Sequence, residues 1–199
     1  MLVFDKWDTS EVKVSDPGLI KYIGLDNRLV MHTFGVFSKK RFSKTDQNIV
    51  ERLINKLMRS GQGRRKLGGK YIRNRNGTGK KLMIMKEVEA AFEMINARTK
   101  KNPVQLLVMA TENSAPNEDV TRLKKGGVSY TESVDVAPYN KLNEALKNLA
   151  LASFASTFNN KKGLAESLAE EIVSAAANDN KSYSIKRKDE IERIAKSSR

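Results

Sequence analysis

From Thr45 onward, Ile49, Val50, Leu53, Ile54, Leu57 and Met58 fall at the spacing of one helical face, and Thr45 or Asp46 is available as the N-cap. The pattern predicts an amphipathic helix. Arg52, Lys56 and Arg59 recur between these apolar positions, so the three cations are expected in one line on the face away from the core. A second helix is predicted over Lys81 to Arg98, with Val88, Ala91, Phe92 and Ile95 on one side. A third opens on Asn102 and Pro103, a capping residue ahead of proline at the first helical position. It runs through Val104, Leu107 and Val108 to Ser114, before Pro116. The short break between these two predicts an antiparallel pair.

The period then changes. In EDVTRLKKGGVSYTESVDVAP, from Glu118 to Pro138, Val120, Arg122 and Lys124 alternate before Gly126 and Gly127, and Val134, Asp135 and Val136 alternate after them. This is the signature of a β-hairpin, and no other stretch shows the same exchange of periods. A two-stranded ribbon cannot form a core, but it can project from a helical body and hold basic side chains on a stiff arm. Three more helices are predicted: Lys141 to Phe158, Lys162 to Ala177, and Lys186 to Lys196. The middle one carries a packing face of Leu164, Leu168, Ile172 and Ala176 with Ala165, Ala169 and Val173 beside it. The last is expected to pair Glu192 with Lys196.

The fold expected is therefore mainly α, a helical bundle of about six helices with a projecting two-stranded β-hairpin and a basic N-terminal arm and loop. Residues 1–44 read as an N-terminal extension and basic arm. Residues 45–199 read as a helical domain with a basic loop at 59–81 and the hairpin at 118–138. No internal repeat of solenoid length is present. A length of 199 residues suits one domain with arms.

Charge sharpens this picture. The chain carries 37 Lys and Arg against 23 Asp and Glu, a formal net charge of +14. Residues 39–81 hold 15 basic and two acidic side chains, while the segments on either side are nearly neutral. Within that stretch, Arg59 to Lys81 has nine basic residues, six glycines and no acid. Such polarisation points to a polyanionic partner and to a flexible loop lying against phosphate, expected to be disordered when free; a merely solvated loop is the bland alternative. There is no cysteine and a single histidine, His32, which excludes disulfides, thiolate zinc sites, cysteine nucleophiles and multi-histidine metal centres. No apolar run reaches membrane-spanning length, and acids interrupt the first residues, so a soluble, cytosolic protein is expected.

Catalytic motifs do not survive inspection. Gly79-Lys80 is followed by Lys81 rather than Ser or Thr, and Asn74 stands where a phosphate-binding loop needs its first glycine. Gly61-Gln62-Gly63 lacks the third glycine of a dinucleotide turn, because Lys66 occupies that place. His32 has no identifiable partner and reads as structural. Glu166, Glu170 and Glu171 read as a solvated face, ion-paired through Lys162. Tyr71, Tyr130 and Tyr139 lie near basic clusters, where a ring could stack on an unpaired base or simply pack.

The runs NIVERLINKLMRSG (48–61) and KNPVQLLVMATENSAP (101–116), the hairpin with KKGGVSY before VDVAP, and the C-terminal LAEEIVSAAANDNKSYSIKRKDEIERIAKSSR together resemble the universal small-subunit ribosomal protein seven family. The resemblance extends from about Trp7 to Arg199 and is closest to the archaeal form. It implies a helical body with a projecting hairpin. It also implies binding to the 3′ major domain of small-subunit rRNA, initiation of head assembly, and a place in the ribosome lining the exit-site cleft near tRNA and mRNA, beside proteins of the head and platform.

Carried over, the resemblance puts rRNA contact on Lys39, Lys40, Arg41 and Lys44, on Arg52, Lys56 and Arg59, and on Arg122, Lys124 and Lys125. The tip Gly126, Gly127, Val128, Ser129 and Tyr130 would approach exit-site tRNA. Charge alone adds Arg64, Arg65, Lys66, Lys70, Arg73, Arg75, Lys80 and Lys81 from the variable loop. One departure stands out: where relatives carry two adjacent basic residues after the proline that ends the hairpin, this chain has Tyr139 and Asn140 after Pro138, leaving Lys141 as the cation there. Affinity would come from phosphate neutralisation with counterion release, and recognition from RNA shape, with no cofactor, metal or membrane involved. The competing reading is a DNA-binding regulator with a basic hairpin. It is opposed by the lack of helix-turn-helix spacing and by a glycine-rich loop better suited to irregular RNA. No constellation supports an enzyme.

Overall fold

Asn48, rather than Thr45 or Asp46, caps the first helix. The computed structural model describes residues 2–26, 28–60, 66–67, 70–71 and 79–198. In it α1 spans Ile49–Leu57, and the Asn48 side chain accepts a hydrogen bond from the Val50 N–H. Thr45 and Asp46 lie instead in a one-turn 3-10 helix, Ser43–Asp46, that ends where Gln47 turns extended. A tertiary constraint decides the start. Ile49 N–H donates to the Gly24 carbonyl at 2.9 Å and the Asn48 amide to the Asp26 carbonyl at 2.6 Å, docking the helix N-terminus onto the preceding chain. A Cβ on Gly24 would lie 2.7 Å from the Gln47 carbonyl oxygen, so only glycine fits at this crossing.

The other helices are α2 Lys81–Thr99, α3 Pro103–Ser114, α4 Pro138–Thr157, α5 Leu164–Ala176 and α6 Tyr183–Ser197. As expected, Asn102 caps α3 by accepting from Val104 N–H, with Pro103 at its first position. Helix α4 begins at Pro138, three residues earlier than expected, because the proline opens the helix rather than only closing the hairpin. Helix α6 begins at Tyr183, where Ser182 caps it and Glu171 of α5 accepts from Ser182 Oγ, Ser184 N–H and Ser184 Oγ. Of the face read as solvated and ion-paired through Lys162, Glu170 holds that pair while Glu171 serves α6 instead, and Glu192 takes a partner other than the expected Lys196. Lys162 reaches Glu170 at 2.8 Å, and Glu192 accepts from the Asn117 N–H at 2.9 Å.

Helix α5 packs against α2, α3 and α4, with Leu168 and Ile172 fully buried among Phe92, Ile95, Leu107, Leu142, Leu146 and Leu149. The small residues Ala165, Ala169, Ala175 and Ala176 allow that close approach. Val3, Trp7, Leu19, Ile23 and Met31 from the N-terminal extension join the same core, Trp7 meeting Phe92 edge-on at 5.5 Å.

The hairpin follows the expected pattern. A two-residue ladder, β1 Lys66–Leu67 with β2 Lys70–Tyr71, lies within the stretch read as a glycine-rich loop. The later hairpin is β3 Glu118–Lys125 paired antiparallel with β4 Val128–Asp135, from Glu118↔Asp135 to Lys125↔Val128. Gly126 and Gly127, at φ 59° and 83°, form the turn, where the left-handed backbone is what calls for glycine. Its root rests on α6, while Leu123, Val128 and Tyr130 are all exposed. Shortening the tip between Lys125 and Tyr130 is therefore expected to change stability by less than about 0.5 kcal/mol, within about 2 °C of melting temperature by calorimetry. A larger loss would mean the tip is docked on the body.

Candidate nucleic-acid interface

The basic arm is an ordered turn. The Ser43 hydroxyl lies 2.6 Å from the Phe37 carbonyl and 3.0 Å from that of Lys40, and Thr45 N–H and Oγ1 both donate to the Phe42 carbonyl. Between these ties Phe42 is held at φ 65°, a left-handed backbone that costs a bulky side chain roughly 1–3 kcal/mol. Lys39, Lys40, Arg41 and Lys44 are all exposed, and none enters an ion pair among the described residues. The Arg41 guanidinium lies 5.0 Å over the Phe42 ring, and that ring meets Tyr139 of α4 edge-on at 5.7 Å.

The α1 stripe departs from expectation. Arg52 is 5% exposed, its guanidinium donating to the Tyr22 carbonyl at 2.8 Å and to Asn143 Oδ1 at 3.3 Å, and lying 5.8 Å from the Tyr139 ring centroid. Lys56 is half-buried. Burial pulls the pKa of both below their ordinary values, and at Lys56 the neighbouring Arg52 charge adds to it. Only Arg59 is exposed. The physical reason is that α1 is nine residues long and has α2, α4 and the N-terminal chain packed around it, so little of its polar face meets water.

Lys81, expected at the RNA, is likewise turned inward. Its ammonium lies 2.6 Å from Glu51 Oε1, with side chains 14% and 2% exposed, and the same oxygen accepts from Thr33 N–H and Oγ1. Burial pushes the Glu51 carboxyl up, but the Lys81 hydrogen bond and charge, with Gln47 and Thr33, hold it below its ordinary value. Sequence reading missed this pair because its members lie 30 positions apart on different helices.

The remaining candidates divide by location. Lys80 is exposed at the N-cap of α2. Arg64, Arg65, Arg73 and Arg75 lie outside the described residues, as does most of the loop expected to be disordered; Lys66 and Lys70 sit on β1 and β2. Arg122 and Lys124 are exposed two residues apart on β3, hence on one face, opposite Thr131 and Ser129. The other face carries Leu123 and Tyr130, and Lys125 ends β3. Lys141 donates to Asn117 Oδ1 at 2.8 Å at the hairpin root. His32 is structural, its Nδ1 accepting from Phe34 N–H and its ring stacked on Phe34.

One cluster thus forms in space: Lys40, Arg41 and Lys44 of the arm, Phe42, and Tyr139 and Asn140 of α4 line an open pocket of about 480 Å³. Among the described residues no group of three or more acidic or histidine side chains could hold a metal ion, and no helix is long and apolar enough to cross a membrane.

Residues 26–199 match the family described as Ribosomal protein S7p/S5e. The chain is 47% identical over 196 residues to the Small ribosomal subunit protein uS7 of Methanothermobacter thermautotrophicus, covering 98% of each chain. It is 43% identical to the protein of the same name from Methanococcoides burtonii, over 99% of this chain and 98% of that one. With that of Thermoplasma volcanium it shares 44% identity over the full length of both. A match of this extent, over a helical body with a projecting basic hairpin, shows that the chain belongs to the ribosomal protein S7p/S5e family.

Proposed function

We propose that the chain is a structural constituent of the small ribosomal subunit, working in the cytoplasm within the ribosome. It binds the 3′ major domain of the small-subunit rRNA, starts assembly of the head beside neighbouring head and platform proteins, and lends its hairpin to the exit-site cleft near tRNA and mRNA. The observation that carries this reading is the exposed arm of Lys39, Lys40, Arg41 and Lys44, in a family of ribosomal proteins. Among the described residues these cations have no acidic partner, and a polyanion supplies one. Arg59 and Lys80 add two more exposed cations. Arg122, Lys124 and Lys125 place charge along the hairpin, and Gly126 to Tyr130 form the part that reaches tRNA. Arg52 and Lys81 are assigned to holding α1 in place, and no reaction is required.

Replacing Lys39, Lys40, Arg41 and Lys44 together by glutamine tests the arm. The slope of log affinity for small-subunit rRNA against log salt is expected to fall by roughly 3, since each phosphate contact releases about 0.7–0.9 counterion. Cosedimentation with small subunits should weaken in parallel, with the melting temperature unchanged. An unaltered slope sinks the arm assignment, and tighter binding to duplex DNA than to an RNA junction sinks the ribosomal reading.

A further inference from the structure

The pocket between the arm and the start of α4 combines two kinds of wall. Part of the lining is cationic, with Lys40, Arg41 and Lys44 exposed around it and the Arg41 guanidinium 5.0 Å over the Phe42 ring. Part is aromatic: Phe42 is 53% exposed, and its ring stands perpendicular to that of Tyr139, at an interplanar angle of 89°. Asn140, exposed at the rim, offers both a donor and an acceptor. Two perpendicular rings make a corner in which a flat group lying on one ring presents its own edge to the face of the other.

Both rings are held before any ligand arrives. Behind Tyr139, the buried Arg52 guanidinium lies against the ring and is itself fixed by the Tyr22 carbonyl and the Asn143 side chain. Phe42 is kept at its left-handed backbone by the hydrogen bonds of Ser43 and Thr45. A large apolar ring kept half in water, on a backbone it disfavours, does nothing for the core. A volume of about 480 Å³ falls in the range of small-molecule sites, about 300–1,000 Å³.

We infer that this pocket seats a single unstacked nucleotide of the bound RNA, its base against Phe42 and Tyr139, its flanking phosphates on Lys40, Arg41 and Lys44, and its edge within reach of Asn140. The inference rests on the RNA-binding reading above and adds to it a stacking subsite. A paired base inside a helix cannot present its face to such a corner, so the ligand is a looped or bulged nucleotide. Arg52 is then a positioning residue, acting through Tyr139.

The test compares two probes that carry the same phosphates: a ten-nucleotide single-stranded RNA, and its counterpart made abasic throughout. The wild-type chain is expected to bind the base-bearing probe at least about fivefold more tightly, since stacking one base on an aromatic side chain is worth about 5- to 150-fold. Phe42→Gly should cut that ratio at least fivefold while leaving the salt slope unchanged. It removes the ring and relieves the left-handed backbone, so the variant should fold at least as well as the wild type. Tyr139→Leu should act similarly and Tyr139→Phe should not, with melting temperatures showing that the fold is retained. Equal binding of the two probes by the wild type, with its salt slope intact, overturns the pocket alone and leaves a phosphate-binding surface. Binding of neither probe overturns the RNA reading beneath it.

Discussion

Arg52→Glu is expected to lower the unfolding free energy by about 4 kcal/mol and the melting temperature by roughly 10 °C, although the sequence pattern puts Arg52 on a solvent-facing stripe. The guanidinium donates to the Tyr22 carbonyl and to Asn143 Oδ1 in a site only 5% exposed. A carboxylate there would face the Tyr22 carbonyl oxygen and the electron-rich Tyr139 ring, and both hydrogen bonds that the guanidinium donates would be lost. Unsatisfied buried groups cost about 1–3 kcal/mol each, and an uncompensated buried charge costs more. Against a total stability of about 5–15 kcal/mol, this is a large fraction. Lys39→Glu, on the exposed arm, should shift stability by less than about 0.5 kcal/mol while weakening RNA binding. Calorimetry on the two variants decides the matter: an Arg52→Glu protein that melts like the wild type returns Arg52 to the surface stripe.

Breaking the Glu51–Lys81 pair should cost about 3–5 kcal/mol from either side, because each single replacement strands a charge in the interior. Lys81→Met leaves a carboxylate that is 2% exposed, and Glu51→Leu leaves an ammonium that is 14% exposed. The double variant is expected to recover much of the loss, since apolar side chains of similar size can replace a buried pair at little net cost. The pair also carries a pH signature. Its carboxyl is held below the ordinary 4.5 in the folded protein, so the stabilisation it contributes is complete above about pH 4.5 and is lost as pH falls through the lower folded value. The wild type should therefore lose melting temperature more steeply than the double variant on acidification from pH 5 to pH 3. Parallel curves would show that Glu51 titrates no differently in the folded and unfolded chains.

What was legible before the structure was local. Asn102 followed by Pro103 started α3 as expected because a cap and a first-turn proline act within four residues. Gly126-Gly127 placed the hairpin turn for a similar reason, since the left-handed φ required there is a property of the two residues themselves. The basic arm was visible as charge, but its form was not: Phe42 takes its backbone from hydrogen bonds made by Ser43 and Thr45. Likewise, Tyr139 was one of three tyrosines that could stack on a base, and only its meeting with Phe42, 97 positions earlier in the chain, sets it apart from Tyr130.

The sequence by itself determined the helical body, the hairpin, the concentration of positive charge between residues 39 and 81, and the resemblance that led to the family. Periodicity, caps, turns and net charge are sums over near neighbours, so they can be read in one dimension. Tertiary structure alone decided which cations are free to meet a polyanion. Arg52, Lys81 and Arg59 look alike along the chain, yet the first is held by Tyr22 and Asn143, the second by Glu51, and the third is exposed. A charged side chain is removed from water only where distant segments converge to supply its partners. That convergence depends on how α1 docks against α2, α4 and the N-terminal chain, which no spacing within α1 encodes.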